Sequence, residues 1–383
     1  MARFSHLAIA GFRNLEQVEF VPSPRHNLLI GPNGAGKTAI LEAIHYLIRG
    51  RSFRTHLSSE LVGIDVDRLL IRGSLDLARL DGSITELSAS VGGVSVAVER
   101  PRGQKQAVRW NGEPVRGFSS SSRACPLQAF LPGLSDLVFG SPSVRRRWLD
   151  WGVFHVKHDY LDRWRTFSRL LSQRNALLKS EEGRRDASLL KSFTEQYAQV
   201  GQEVAGLRDA YLELWRPFFD NRLALLVPDL CDAVDVSIQP FGSSKSLSLG
   251  DLLVDLASRE LKSGTSVCGP HRADVLVSLR GRPASQLASR GQGKLIAIAM
   301  LLSQSDVVRA QTDAETVFLL DDLPAELDER ALVQVFEAID ETGSQTFSTT
   351  PVGPETVRLT DVLVTPEPTT RLFHVKHGAL DEE

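Results

Sequence analysis

The eight residues from Gly31 to Thr38, GPNGAGKT, constrain this chain more than any others, because they fit G-x-x-x-x-G-K-[ST] in the context that pattern needs. An apolar run, HNLLI, precedes them, and Ile40, Leu41, Ile44, Leu47 and Ile48 follow at the spacing of one helix face. A strand therefore enters the loop, and a helix from about Lys37 to Ile48 leaves it. Gly31, Gly34 and Gly36, with Pro32, Asn33 and Ala35 between them, let successive backbone N–H groups turn inward on phosphate oxygens. The helix N-terminus adds partial positive charge. Lys37 is expected to reach the outer phosphates and the Thr38 hydroxyl to ligate Mg²⁺. The ligand implied is ATP with Mg²⁺, against the alternative of a glycine-rich turn that binds nothing.

A phosphate loop needs an acid to hold its metal, and TVFLLDD at 316–322 supplies one. Its apolar residues bury a strand, and the carboxylates emerge at the end. Asp321 is expected to hold Mg²⁺ through water, and Asp322 to orient the attacking water or accept its proton. Two acids after a strand are also ordinary surface solvation. Upstream, ASRGQGKLIAIAMLLSQ (288–304) puts a Ser-Arg-Gly-Gln loop before a last helix near Lys294 to Gln304, and Ser289 by itself reads as an N-cap.

The first hundred or so residues alternate apolar runs with turns, so SHLAIAGF, HNLLI, DRLLIRGSL, SITELSASV and VSVAVER read as strands. Asn111-Gly112 suits a two-residue hairpin. From about Val144 the pattern is helical. Phe193, Tyr197, Val200, Val204, Leu207, Tyr211 and Leu214 form a seam that wants a partner, supplied by Trp164, Phe167, Leu171 and Leu178 across a polar turn at 179–188. After Asp235 short strands resume. The expected fold is α/β, with a nucleotide domain interrupted by a helical one: 1–140, 141–262 and 263–383. FHVKH occurs at 154–158 and 373–377, once in a helical and once in a strand context, and reads as coincidence.

Length and composition exclude other classes. A chain of 383 residues, 42% apolar, favours about two domains, and no apolar run approaches the roughly twenty residues of a bilayer span. The start has no leader pattern, so a cytoplasmic protein without a membrane partner is expected. Cys125, Cys231 and Cys268 lack metal-ligand spacing and read as buried thiols. With 44 basic and 47 acidic residues the net charge is −3, so any DNA contact must use a local basic patch.

In its place between the phosphate loop and the acids, the Ser-Arg-Gly-Gln loop resembles the signature loop of ABC-type ATPases. The resemblance implies that Ser289 and Gly291 bind the γ-phosphate held by a second copy. It makes Asp328 the D-loop aspartate, and Thr349 or Thr350 in QTFSTTP the γ-phosphate switch. FRNL (12–15), RSFR (51–54), GSPSVRRRWLDWGVFH ending at His155, SQRNALLK (172–179) and CGPHRAD (268–274) resemble the RecF family in order and from end to end. That likeness implies an ABC-type P-loop ATPase head with a mixed sheet, similar to SMC heads, with a mostly helical second lobe. It implies an ATP-dependent homodimer on DNA at gaps or single-strand/double-strand junctions, acting in recombinational repair and replication restart. RecR and RecO become the expected partners, with recombinase loading and SOS induction as outcomes. Arg13 would contact nucleotide, or serve a structural role at a strand end. His271 would pack or meet an interface.

Gly293 and Pro324 depart from the family pattern, and Asp322 is one methylene shorter than the usual glutamate, which implies slow, DNA-dependent ATP turnover. Candidate DNA contacts are Arg49, Arg51 and Arg54, then Arg100, Arg102, Lys105 and Arg109, then Arg145 to Arg147, whose alternative is pairing with acids in the helical lobe. Two rival readings keep the same head. A nuclease of the overcoming-lysogenization-defect type needs a further metal domain, for which the fifty-five residues after Asp328 leave no room. A membrane-transporter ATPase needs a Gln loop, which Gln128 could mimic.

Overall fold

The computed structural model describes residues 2–77, 93–181, 187–239, 248–353, 356, 359 and 370–382. Two compact units divide the chain: Met1–Leu134 with Val308–Glu383, and Ser135–Val307. The first unit opens with β1 (Ala2–Phe12), β2 (Leu15–Phe20), β3 (His26–Ile30), β4 (Arg68–Leu77), β5 (Val94–Pro101), β6 (Ala107–Trp110), β7 (Glu113–Val115) and β8 (Leu127–Phe130). The second unit holds β9 (Val234–Gln239), β10 (Asp274–Leu279) and β11 (Arg282–Pro283). Then β12 (Val317–Leu320), β13 (Thr346–Thr350), β14 (Thr370–Lys376) and β15 (Ala379–Glu382) complete the first unit.

Among the described residues, those of the first unit form two six-stranded sheets, one mixed in the order β15-β14-β3-β13-β12-β8 and one antiparallel in the order β2-β1-β4-β5-β6-β7. The phosphate-loop helix, Lys37–Arg49, packs in the core they share. Its Ile40, Leu41, Ile44, Leu47 and Ile48 are fully buried with Leu7, Ile9, Ile71 and Val98 of the antiparallel sheet and Leu29, Leu319 and Phe347 of the mixed one. Burial of five such side chains contributes on the order of 10 kcal/mol before entropy is counted. With strands on both sides, Ala39 and Ala43 are buried too. Gly50 ends the helix in a left-handed turn. Asn111 and Gly112, both at positive φ, make the expected hairpin between β6 and β7. SITELSASV lies outside the described residues, as do residues 182–186 of the turn at 179–188.

In the second unit, helices Tyr160–Lys179 and Ala187–Leu226 pack along the expected seam, with Phe167 against Tyr197 at 5.0 Å between rings. The seam also carries charge. Buried Arg174 pairs with fully buried Glu260 at 2.6 Å, and buried Arg208 with Asp150 at 2.6 Å. Short strands after Asp235 are only part of what the structure shows, because Leu249–Ser263 is a helix. Its Ser248/Asp251 capping box and its apolar residues at helical spacing set it. The helix expected from Lys294 to Gln304 runs from Arg290 to Thr312, and another, Glu329–Asp340, follows it. The second unit reaches Val307 rather than 262. Residues 263–307 stay with it because β10 pairs with β9 from Asp274 to Leu279, and Gln304 donates to the Trp148 carbonyl at 2.8 Å. Of the two FHVKH copies, Phe154–Val156 is helical and Phe373–Lys376 is strand. Among the described residues no helix is long and apolar enough to cross a membrane.

Candidate functional site

The phosphate loop leaves β3 and enters its helix through two glycines, Gly34 and Gly36, at φ of 80° and 116°, a region costly for any residue with a side chain. At Gly31 a Cβ would lie 2.1 Å from the Val375 carbonyl oxygen, so the strand end also demands glycine. Lys37 is buried, and its Nζ donates to the carbonyls of Gly31 at 2.7 Å and Pro32 at 3.0 Å. Burial lowers its pKa below the usual lysine value, opposed by the charges of Asp322 and Asp321.

Parallel pairing of β13 with β3 and with β12 brings the acids to the loop. Thr38 Oγ1 donates to Asp321 Oδ1 at 2.9 Å, and Thr349 Oγ1 donates to the same oxygen at 2.8 Å. The Asp322 amide donates to Thr349 Oγ1 at 2.9 Å while Asp322 itself holds a left-handed backbone at φ 53°, ψ 38°. Aspartate is among the few non-glycine residues that adopt this region singly, and the Thr349 bond helps hold it there. Of the two candidate switch residues, Thr349 faces the acids, and Thr350 turns its hydroxyl to the Pro351 carbonyl. A cleft of about 520 Å³ is lined by Asn14, Lys37, Thr38, Arg54, Asp321, Asp322 and Thr349, within the usual size of ligand sites.

Arg13 does not point into this cleft. Its guanidinium makes a two-pronged pair with Glu42, at 2.9 and 2.7 Å, because a fully buried carboxylate needs a partner charge. The neighbouring Asn14 takes its place, its side chain donating to the Gly34 carbonyl at 3.1 Å. Nothing in the spacing of residues marks Asn14 or Glu42, since both depend on which loops meet.

Ser289 and Gly291 lie exposed at the start of helix Arg290–Thr312 in the second unit. Ser289 and Gln292 cap that helix reciprocally, at 2.9 and 3.2 Å, and a Cβ at exposed Gly291 would meet the Ser289 hydroxyl oxygen at 4.0 Å, an ordinary contact. A Cβ at Gly293 would lie 2.2 Å from the Phe139 ring, which accounts for glycine there. Pro324 fits the first turn of helix Leu323–Glu326. Exposed Asp328 caps helix Glu329–Asp340 by accepting the Ala331 amide at 2.9 Å. Gln128 is buried in β8 and is not among the residues lining the cleft. His271 packs within the second unit, near the Tyr197 hydroxyl and the Ser266 carbonyl, and burial lowers its pKa to about 4.

Several expected DNA contacts are engaged inside the protein. Arg100 binds Tyr46, Gln106 and Ser58, and Arg102 clasps the carbonyls of Gly63, Ile64 and Val66. Arg145 forms a two-pronged pair with Asp274 at 2.9 and 2.8 Å, so pairing with an acid inside the second unit holds for it, whereas Arg146 donates to the Ala273 backbone carbonyl at 2.9 Å. Arg49 is half-buried, its pKa lowered to about 9 by burial and by Arg51. Arg51, Arg54, Lys105, Arg109 and Arg147 are exposed, with Arg54 3.8 Å from Glu42 and Arg109 donating to the Gly112 carbonyl at 3.0 Å. The outer face of the antiparallel sheet adds Arg72. Strand register lines up Glu19, Ala8, Arg72, Ala97 and Arg109, placing the two arginines two strand spacings, roughly 10 Å, apart.

The family model of the RecF/RecN/SMC N-terminal domain matches residues 3–365. The chain is 33% identical over 375 residues to the DNA replication and repair protein RecF of Shewanella baltica (strain OS155), covering 98% of each chain. It is 36% identical over 372 residues to RecF of Marinobacter nauticus, covering 97% of each. Among solved structures it is similar to the recombination mediator protein RecF with ATP in the RecFOR pathway, at TM-score 0.83 and 24% identity, covering 100% of this chain and 98% of that one. It is also similar to an Smc head bound to the C-terminal winged-helix domain of ScpA, at TM-score 0.57 and 14% identity, covering 100% and 97%.

Proposed function

This chain belongs to the RecF family of DNA replication and repair proteins, and from that premise we propose that it binds ATP with Mg²⁺ in the Gly31–Thr38 cleft, dimerises on it, and holds duplex DNA at gaps or junctions during recombinational repair. The observation that carries the reading is the convergence of Thr38 and Thr349 on one oxygen of Asp321, beside a loop whose backbone suits phosphate.

These all-oxygen donors fit Mg²⁺, with Thr38 and Asp321 as the residues that would hold it. When bound, the ion neutralises charge on the transferring phosphoryl group. Lys37 exchanges its two carbonyl partners for phosphate oxygens, and loop N–H groups orient the chain of phosphates. Asp322 accepts a proton from water, with its backbone held by Thr349. Its short side chain favours slow turnover, suiting a switch.

Ser289 and Gly291 act on the γ-phosphate bound by the second copy, and Asp328 lies at the same interface. Their exposure supports this. The solved RecF with ATP in the RecFOR pathway supports ATP as ligand, and RecR and RecO as partners. Phosphate contacts would come from the exposed cations, with Arg72 and Arg109 on the open sheet face.

Sedimentation of wild type and Ser289→Arg, with and without Mg-ATP, tests the reading. Wild type is expected to dimerise only with ATP, and the variant to bind nucleotide yet stay monomeric. A wild type that remains monomeric on saturating ATP overturns it.

A further inference from the structure

We propose that Glu42 is a positioning residue of the nucleotide site, holding two cleft side chains, Asn14 and Arg54, from opposite loops. The inference rests on reading the cleft as a nucleotide site. Glu42 lies one helical turn beyond Thr38 and is 0% exposed. A buried carboxylate is costly unless compensated, so its partners are set by necessity.

Those partners belong to two loops. On one side Glu42 takes both prongs of Arg13, whose left-handed backbone (φ 57°) forms the turn between β1 and β2. The next residue, Asn14, then reaches the Gly34 carbonyl at the tip of the phosphate loop. On the other side Glu42 accepts the Ser52 hydroxyl, and Ser52 Oγ accepts the amides of Arg54 at 2.8 Å and Thr55 at 2.9 Å. That turn sends Arg54 to the cleft. There its guanidinium stays 3.8 Å from Glu42 and 51% exposed, so it is oriented by the carboxylate but not consumed by it. One buried charge therefore steadies the loop tip through Asn14 and presents a cation through Arg54, without touching the ligand itself.

The test is a titration of the full chain with Mg-ATP, reading dissociation constants for wild type, Lys37→Ala, Glu42→Gln, Arg54→Ala and the double variant Glu42→Gln/Arg54→Ala. Glu42→Gln keeps the shape and removes the charge, and is expected to weaken binding about tenfold. The double variant should lose less than the two single losses combined, because both act through Arg54. Ser52→Ala, which leaves the Arg13 pair intact, should weaken binding in the same direction, and it carries the test if Glu42→Gln fails to fold. Wild-type affinity in folded Glu42→Gln or in Ser52→Ala, or full additivity in the double variant, overturns the proposal. If Lys37→Ala binds as wild type does, the nucleotide reading itself has failed and takes this inference with it. If Lys37→Ala loses binding and Glu42→Gln does not, only the role of Glu42 is lost.

Discussion

Thr349 and Asp321 share a hydrogen bond of 2.8 Å in which the hydroxyl donates to the carboxylate, while the same hydroxyl oxygen accepts the Asp322 amide. One side chain thus orients both acids. Replacement by valine keeps the shape and removes both bonds. Thr349→Val should leave ATP affinity within about threefold and lower steady-state ATP hydrolysis by about tenfold or more, since geometry at the acids counts only in the reacting state. Kinetics under saturating ATP, with affinity measured separately, check this.

Lys37 has a lowered pKa through burial, and bound phosphates favour its charged form. The sign follows: ligand raises a depressed lysine, so nucleotide binding takes up a proton as the solution pH approaches the free group's value. Affinity should begin to fall at a pH below 10.5, the ordinary lysine value. Calorimetry in buffers of differing ionisation enthalpy should show uptake near the alkaline end, absent in Lys37→Met.

Arg72 and Arg109 stand on the open sheet face, whereas Arg100 and Arg102 are tied to neighbouring loops. Arg72→Glu/Arg109→Glu should weaken ATP-dependent DNA binding and flatten its salt dependence with little change in melting temperature. Arg100→Glu/Arg102→Glu should lower the melting temperature. Filter binding over a salt series and thermal melts separate the two.

Arg174 and Glu260 form a buried pair in the second unit. Arg174→Ala leaves a fully buried carboxylate without its cation and should cost about 3–5 kcal/mol of stability, measured by urea unfolding. Lys191→Ala, breaking an exposed pair with Glu195, should cost under about 1 kcal/mol.

His271 is held neutral by burial, with a pKa of about 4 against an ordinary 6.5. Between those values the unfolded chain binds a proton that the folded chain does not, so stability falls as pH drops from 6.5 towards 4. His45, lowered to about 3, acts in the same direction. His271→Asn should flatten the decline, read from urea midpoints at pH 7 and pH 5.

Some of this molecule was legible in residue order because the interactions that decide it are local. Strand, glycine turn, lysine and helix are contiguous from His26 to Arg49, so GPNGAGKT announced its own geometry. The hairpin at Asn111-Gly112 and the cap at Ser289 are equally local. The helix Leu249–Ser263 was local too, with its capping box and its leucines at helical spacing, although the expectation for this stretch was short strands.

The rest was decided by tertiary structure, because it depends on pairing residues hundreds of positions apart. Thr38 meets Asp321 only because β3 and β12 both flank β13, and no spacing rule encodes that adjacency. The fates of the arginines were hidden for the same reason. A basic residue reads alike in sequence whether it faces solvent, as Arg72 does, or meets a distant carboxylate, as Arg13 meets Glu42 and Arg145 meets Asp274. Residue order determined that this chain would carry a phosphate loop, while long-range burial of charge decided which cations remain for a partner.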